Sequence, residues 1–200
     1  MANKNIQMIK SFLKVMNGDK EAIKAILPDM YVKDIYTIDY NFLKENNLIN
    51  IIFDVDGTIM PVDDINVIPK LQEFINSLKQ KGFNICLMSN GSQKRVSPVA
   101  EKLDVKYLAD AGKPNPKAYK EALNLLNSTK ENTVMVGDQM LTDIKGANDY
   151  GLYSILVEPY NNKQNIKTGT SRLLQDIMEK KLSKLKLFTR YNYYKKDVIK

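Results

Sequence analysis

The stretch Ile51-Ile52-Phe53-Asp54-Val55-Asp56-Gly57-Thr58-Ile59-Met60 begins as an apolar run and then places two carboxylates one residue apart. Residues 51–55 read as a strand buried on both faces, the kind found in a parallel sheet covered by helices. Asp54 and Asp56 fall where that strand ends, so both can turn toward a crevice. Two like charges there repel and need a cation to coexist. Gly57 permits the tight turn that leaves such a site open.

Outward from this strand the pattern alternates. Leu71, Phe74, Ile75 and Leu78 place a helix over 70–81, ended by Gly82. A strand at 83–88 follows, then a helix over 93–103 expected to break near Pro98. A short strand at 106–110, a helix at 115–126, a strand at 133–138, a helix at 141–150 and a strand at 152–157 complete the series. This alternation predicts an α/β fold, a doubly wound parallel sheet. Before it, helices over 6–16 and 19–27, an extended piece at Ile35 and Tyr36 and a short helix over 41–45 form a helical extension. The expected division is 1–48 (extension packed on the core), 49–160 (core) and 161–200 (basic amphipathic tail).

In such sheets ligands bind beyond the carboxyl ends of the strands. Four predicted strand ends carry polar groups: Asp54 and Asp56, Ser89 and Asn90, Asp110 to Lys113, and Asp138. A polar residue at one strand end merely opens a loop, but four such ends converging on one edge describe a site. Mg²⁺ held by Asp54 and Asp138 would relieve the repulsion and neutralise an incoming phosphate.

Composition narrows the chemistry. The 200 residues contain no histidine, which removes Ser-His and Cys-His nucleophiles and every His-ligated metal. Cys86 is the single cysteine, so no intramolecular disulfide or multi-Cys zinc site is available, and its mid-strand place reads as core. Acid–base work falls on Asp, Glu, Lys or Tyr, and a metal on oxygen ligands. No apolar run of about 18 residues is present, and the first residues lack a signal-peptide pattern. A cytoplasmic location is expected, with peripheral contact at the inner face of the membrane.

Asp54-Val55-Asp56-Gly57-Thr58, Ser89 at a strand end, Lys113-Pro114, and Gly137-Asp138 with Asp143 resemble the four motifs of the haloacid dehalogenase superfamily, in family order. The segment before the first motif, with SNGSQKRV, AGKP and VGDQMLTDIKGANDYGLYSILV, is similar to YqeG-like phosphatases, relatives of phosphatidylglycerophosphate phosphatases. Gly57 and Gly91 depart from that group, where asparagine is expected. The resemblance implies a Rossmannoid core with Asp54 as nucleophile and Asp56 as general acid–base. Ser89 and Lys113 would hold the phosphoryl group. Mg²⁺ would lie on Asp54, the Asp56 carbonyl and Asp138, with Asp143 as ligand or support. Thr58, Asn90 and Gly91 would be loop contacts. Short connections after the first and second motifs leave no room for a cap domain, as in the uncapped subfamily III. The implied reaction is hydrolysis of phosphatidylglycerophosphate to phosphatidylglycerol.

The charge lies at one end. Residues 161–200 carry 11 basic and 3 acidic side chains, against 19 and 20 in residues 1–160. Leu173, Leu174, Ile177, Met178, Leu182, Leu185 and Phe188 form an amphipathic stripe, expected to meet anionic membrane through 172–200. The alternatives are RNA, with Tyr191, Tyr193 and Tyr194 as stacking surfaces, and packing against the chain's own core. Two other functions stay open: a soluble phosphatase for a nucleotide or sugar phosphate, and an RNA or assembly factor whose phosphatase site is idle. Arg95 reads as a solvated helix-face charge rather than a phosphate-side cation.

Overall fold

The structure, a computed structural model, describes residues 2–62, 64–160, 166–189 and 193–194. Its sheet contains β1 (Met30–Val32), β2 (Asn50–Phe53), β3 (Asn84–Met88), β4 (Lys106–Leu108), β5 (Thr133–Gly137) and β6 (Tyr153–Val157), all parallel, in the order β4-β3-β2-β5-β6-β1. β7 (Tyr193–Tyr194) adds to β1 in antiparallel sense. The chain winds from β2 outward through β3 and β4, then returns to β5 and winds the other way. The switch point therefore lies between β2 and β5, where the loops after the two strands part and leave a crevice.

Alternation along β2 separates the two faces of the sheet. Ile51 and Phe53 join a core with Leu71, Ile75 and Leu78 of α4 (Pro69–Gln80) and Val96, Val99 and Leu103 of α5 (Gln93–Leu103). Ile52 joins Cys86, Met88 and Met135 under Ala118, Tyr119 and Ala122 of α6 (Pro116–Leu126) and Ala147 of α7 (Lys145–Tyr150). Pro69 and Pro116 each stand in the first turn of a helix, where a fixed φ helps and the missing N–H costs nothing. A third core packs α1 (Ala2–Met16), α2 (Lys20–Ile26) and α8 (Ile166–Lys184) over Met140, Leu141, Ile144 and Leu156.

Several local expectations change. Residues 35–37 form a 3₁₀ turn, capped by the Asp34 carboxylate accepting from the Tyr36 and Thr37 N–H groups, and the extended segment is β1 just before it. The helix over 93–103 runs unbroken through Pro98, whose ring removes one N–H from the ladder without ending it. The helix expected over 141–150 is two elements, a π-turn at Met140–Ile144 followed by α7. A short helix also occupies Tyr40–Glu45 (α3), capped by Asp39. Between β2 and α4 there is only a loop, and between β3 and β4 only α5. Among the described residues no inserted domain stands over the strand ends.

Asn148 ties the first segment to the sheet. Its amide nitrogen donates to the Ala25 and Leu27 carbonyls at 2.9 Å each, and its oxygen accepts from Ser154 at 2.8 Å. Ser154 N donates in turn to Asp29 at 2.9 Å. Truncating the side chain removes the donor from two carbonyls and one acceptor from the Ser154 hydroxyl, which keeps Asp29 as a partner at 3.3 Å. Asn148→Ala is expected to lower unfolding stability by about 2 kcal/mol, read by urea denaturation, with Asn148→Asp no better because it loses both donors.

Candidate active site

β2 delivers Asp54 to the crevice, where its N–H donates to the Val136 carbonyl of β5 at 2.9 Å. Beyond it the chain folds back at once. The Val55 carbonyl accepts from the Thr58, Ile59 and Met60 N–H groups, and Gly57 N donates to the Met60 carbonyl at 2.8 Å. Gly57 sits at φ +89°, and a β-carbon there would stand 2.5 Å from Asp138 Oδ2. Both the turn and the nearby carboxylate thus require glycine at this position.

Asp54 is buried. Its Oδ1 pairs with Lys113 Nζ at 2.5 Å, and its Oδ2 accepts from Thr58 Oγ1 at 3.1 Å. Lys113 is 1% exposed, so its amine must find partners inside the protein. It donates to the Met88 carbonyl at 2.8 Å and lies 2.8 Å from Asp143 Oδ1. Asn90 fixes the lysine's backbone, accepting from Lys113 N at 2.7 Å and donating to its carbonyl at 3.2 Å. The Asp143 carboxylate accepts from Gln139 N at 3.1 Å and rests against the end of β5, where any β-carbon on Gly137 would collide with it.

Asp138 completes the cluster. It is 1% exposed, and its Oδ1 has no hydrogen-bond partner among the described residues. Asp54, Asp138 and Asp143 each offer a carboxylate oxygen, all within 4.8 Å of one another. Burial raises the Asp54 carboxyl to about 6, opposed by Lys113 and reinforced by Asp143. Asp138 is held well above the usual carboxylate range by burial and by Asp54 and Asp143, with Arg172 and Lys113 opposing. Burial disfavours the charged form of Lys113, but Asp143 and Asp54 outweigh it and raise its pKa. Three buried acids against one fully buried amine, with an orphaned oxygen facing the group, fit a hard divalent cation bound through oxygen.

Asp56 lies apart from this trio. Its Oδ1 accepts from Arg95 Nε at 3.1 Å and Nη2 at 2.7 Å, and its Oδ2 lies 3.5 Å from Ser89 Oγ. Ser89 Oγ also accepts from Gly91 N at 2.9 Å, which explains why the loop after β3 turns tightly over the serine. The solvated reading of Arg95 is therefore corrected: its side chain is 11% exposed and is the ion partner of Asp56.

Two residues of the apparent tail also reach this region. Gln175 of α8 accepts from Met140 N and donates to the Asp138 carbonyl, both at 3.0 Å, and Arg172 Nη2 stands 3.8 Å from Asp138 Oδ2. Nothing in the sequence marks them, since their three-residue spacing is common to every helix face. Part of the amphipathic stripe is internal: Met178, Leu182 and Phe188 are buried in the chain's own core, and the Phe188 ring stacks on Tyr31 at 5.1 Å. Leu173 and Leu185 remain exposed. Residues 190–192 and 195–200, including Tyr191, lie outside the described residues, as do the side chains of Tyr193 and Tyr194.

A carboxylate whose folded pKa lies above its unfolded value binds more protons folded than unfolded. Stability without metal therefore falls as pH rises from about 4 through about 6, the value for Asp54. Protons and cation compete for the same oxygens. The expected result is a larger rise in melting temperature on adding Mg²⁺ at pH 8 than at pH 5, with EDTA reversing it, measured by scanning calorimetry.

Comparison with known proteins agrees with this geometry. The family model for haloacid dehalogenase-like hydrolases matches residues 61–151. The chain is 36% identical over 152 residues to the probable phosphatase YqeG of Bacillus subtilis (strain 168), covering 76% of this chain and 88% of that protein. It is 25% identical over 169 residues to phosphatidylglycerophosphate phosphatase 1, chloroplastic/mitochondrial, of Arabidopsis thaliana, covering 80% of this chain. It is likewise 25% identical over 166 residues to phosphatidylglycerophosphate phosphatase 1, chloroplastic, of Chlamydomonas reinhardtii, covering 78% of this chain and 61% of that protein. The matched region spans 48% of the Arabidopsis protein's length. With the sheet order, the strand-end aspartates and a relative matched over nearly its whole length, the chain belongs to the haloacid dehalogenase-like hydrolases, on the phosphatase side of that family.

Proposed function

We propose that this chain is a Mg²⁺-dependent phosphomonoesterase acting through Asp54, with phosphatidylglycerophosphate as its preferred substrate. The observation that carries the reaction is the buried trio Asp54, Asp138 and Asp143 bridged by Lys113. Asp54, the Asp56 carbonyl and Asp138 would hold the cation, with Asp143 beside them. When bound, the ion neutralises phosphate charge and polarises a P–O bond.

The chain's own groups then divide the work. An Asp54 oxygen attacks phosphorus, forming an aspartyl-phosphate as the bond to the leaving oxygen breaks. Asp56 gives its proton to that oxygen. Arg95 fixes the Asp56 carboxylate, and Thr58 and Lys113 hold Asp54 in one rotamer, so the attacking group is set before substrate arrives. In the second half Asp56 takes a proton from water, whose oxygen attacks phosphorus and releases Asp54 and inorganic phosphate. Ser89 would donate to the transferring group, and Lys113, whose N–H groups serve Asp54, Asp143 and the Met88 carbonyl, would supply positive charge beside it.

The lipid assignment has weaker support, of three kinds. The Arabidopsis and Chlamydomonas relatives are phosphatases of that lipid phosphate. No inserted domain closes the strand ends, which suits a bulky substrate. A cavity of about 290 Å³ lined by Thr58, by Lys33 and Lys70, by Asp34 and Glu158, and by Tyr36 and Tyr160 offers a polar and aromatic bed for a leaving group. For the membrane itself, Leu173 and Leu185 on and just after α8 are exposed, with Lys180, Lys184 and Lys186 nearby. Ile6, Ile9 and Leu13 on α1 are exposed as well. No helix among the described residues is long and apolar enough to cross a membrane.

Phosphate release from phosphatidylglycerophosphate in mixed vesicles is the direct assay. Asp54→Asn is expected to remove at least about a thousandfold of the rate and Asp56→Asn nearly as much, since removing such a group costs several kcal/mol of barrier. Activity that survives Asp54→Asn refutes the nucleophile. In vesicle pelleting, binding is expected to require phosphatidylglycerol and to weaken with salt. Equal binding to neutral and anionic vesicles, or to neither, contradicts the peripheral contact.

A further inference from the structure

The start of α8 is placed as a wall of the active site rather than as a tail. Gln175 fastens the helix to the strand end that carries Asp138, through one bond to the Asp138 carbonyl and one to Met140 N. One turn earlier, Arg172 lies along the same side of the helix. Its side chain is 18% exposed, and its Nε is buried without a hydrogen-bond partner among the described residues. Its Nη2 is 3.3 Å from the point a Gly57 β-carbon would occupy, so the guanidinium lies directly over the turn that follows Asp54. Yet the 3.8 Å separation from Asp138 is too long for a hydrogen bond. The guanidinium is thus held at the mouth of the site and only loosely engaged.

Resting on the phosphatase reading above, we propose that Arg172 is a substrate-binding residue whose guanidinium pairs with a phosphate oxygen of the bound monoester. Asp56 has Arg95, and Lys113 serves Asp54 and Asp143, so among the described residues Arg172 is the cation paired with Asp138. With a divalent ion held by Asp138, the carboxylate would no longer need Arg172, and the guanidinium would be free to turn to another anion. An arriving phosphate puts negative charge over Gly57, within reach of the same fork of donors. Arginine suits this task because its planar N–H groups match two phosphate oxygens at once. Pinned by Gln175, α8 brings this cation to the site. The phosphate concerned is either the one being transferred or a second one elsewhere in the substrate.

The test uses the full chain with Arg172→Gln, Arg172→Lys and, as a control on the same helix, the exposed Ser183→Ala. Each is assayed on p-nitrophenyl phosphate, which has one phosphate, and on phosphatidylglycerophosphate, which has two. Inorganic phosphate binding is measured in parallel by calorimetry with Mg²⁺ present. The expected result for Arg172→Gln is about a tenfold rise in KM on both substrates with a smaller change in kcat, and about tenfold weaker phosphate binding, the worth of one charge-assisted contact. Arg172→Lys recovers part of each loss, and Ser183→Ala matches the parent. A rise confined to phosphatidylglycerophosphate supports the proposal and assigns the second phosphate. Unchanged KM on both substrates and unchanged phosphate binding overturn it, as does a change only in the Mg²⁺ requirement, which would leave Arg172 as a counter-ion of Asp138. Failure of the parent reading looks different: the unsubstituted chain would hydrolyse neither substrate faster than Asp54→Asn, while the phosphate titration would still report on Arg172.

Discussion

Lys113 holds the centre of this molecule together. A fully buried ammonium is costly unless it is paired, and here it bridges Asp54 and Asp143 while donating to the end of β3 through the Met88 carbonyl. One side chain thereby links the ends of β2 and β3 and the π-turn after β5. It also leaves one acid too many. Asp138 adds a third buried carboxylate with an oxygen that has no partner among the described residues, and that deficit suits the cluster to a cation.

The topology explains why these residues meet. Asp54 and Asp138 end the two strands on either side of the switch point, so the crevice opens between two buried carboxylates. Two glycines make the approach possible: Gly57 lets the first loop fold back beside Asp138, and Gly137 leaves space for Asp143. Asp56 is segregated by Arg95. The two acids that stand one residue apart in sequence therefore have different partners, which is what separate roles in attack and proton transfer require.

Much of this was legible in the sequence because the signals were local. Continuous apolar strands, helical spacing and Gly or Pro punctuation locate the core elements from β2 to β6, and polar strand ends locate Asp54, Ser89, Lys113 and Asp138. What was not legible depends on long-range contact. Pro98 reads as a helix break, but packing of Val96, Val99 and Leu103 against the sheet carries the helix through it. Arg95 looks like any surface charge until the loop after β2 brings Asp56 to it. The amphipathic stripe after residue 172 is equally compatible with lipid and with the chain's own core, and Met178, Leu182 and Phe188 take the second option while Leu173 and Leu185 do not. Arg172 and Gln175 gain their meaning only from where α8 lies.

Asp54 is the group proposed to attack phosphorus, and trapping the covalent intermediate tests that role most directly. Enzyme quenched in acid during turnover of radiolabelled substrate, then reduced with borohydride and digested, should carry label before reduction and homoserine at position 54 after it. Both signals should require Mg²⁺ and vanish in Asp54→Asn. Turnover with no protein-bound phosphate and inversion of configuration at phosphorus would contradict the mechanism. Label mapped to any other residue would do the same.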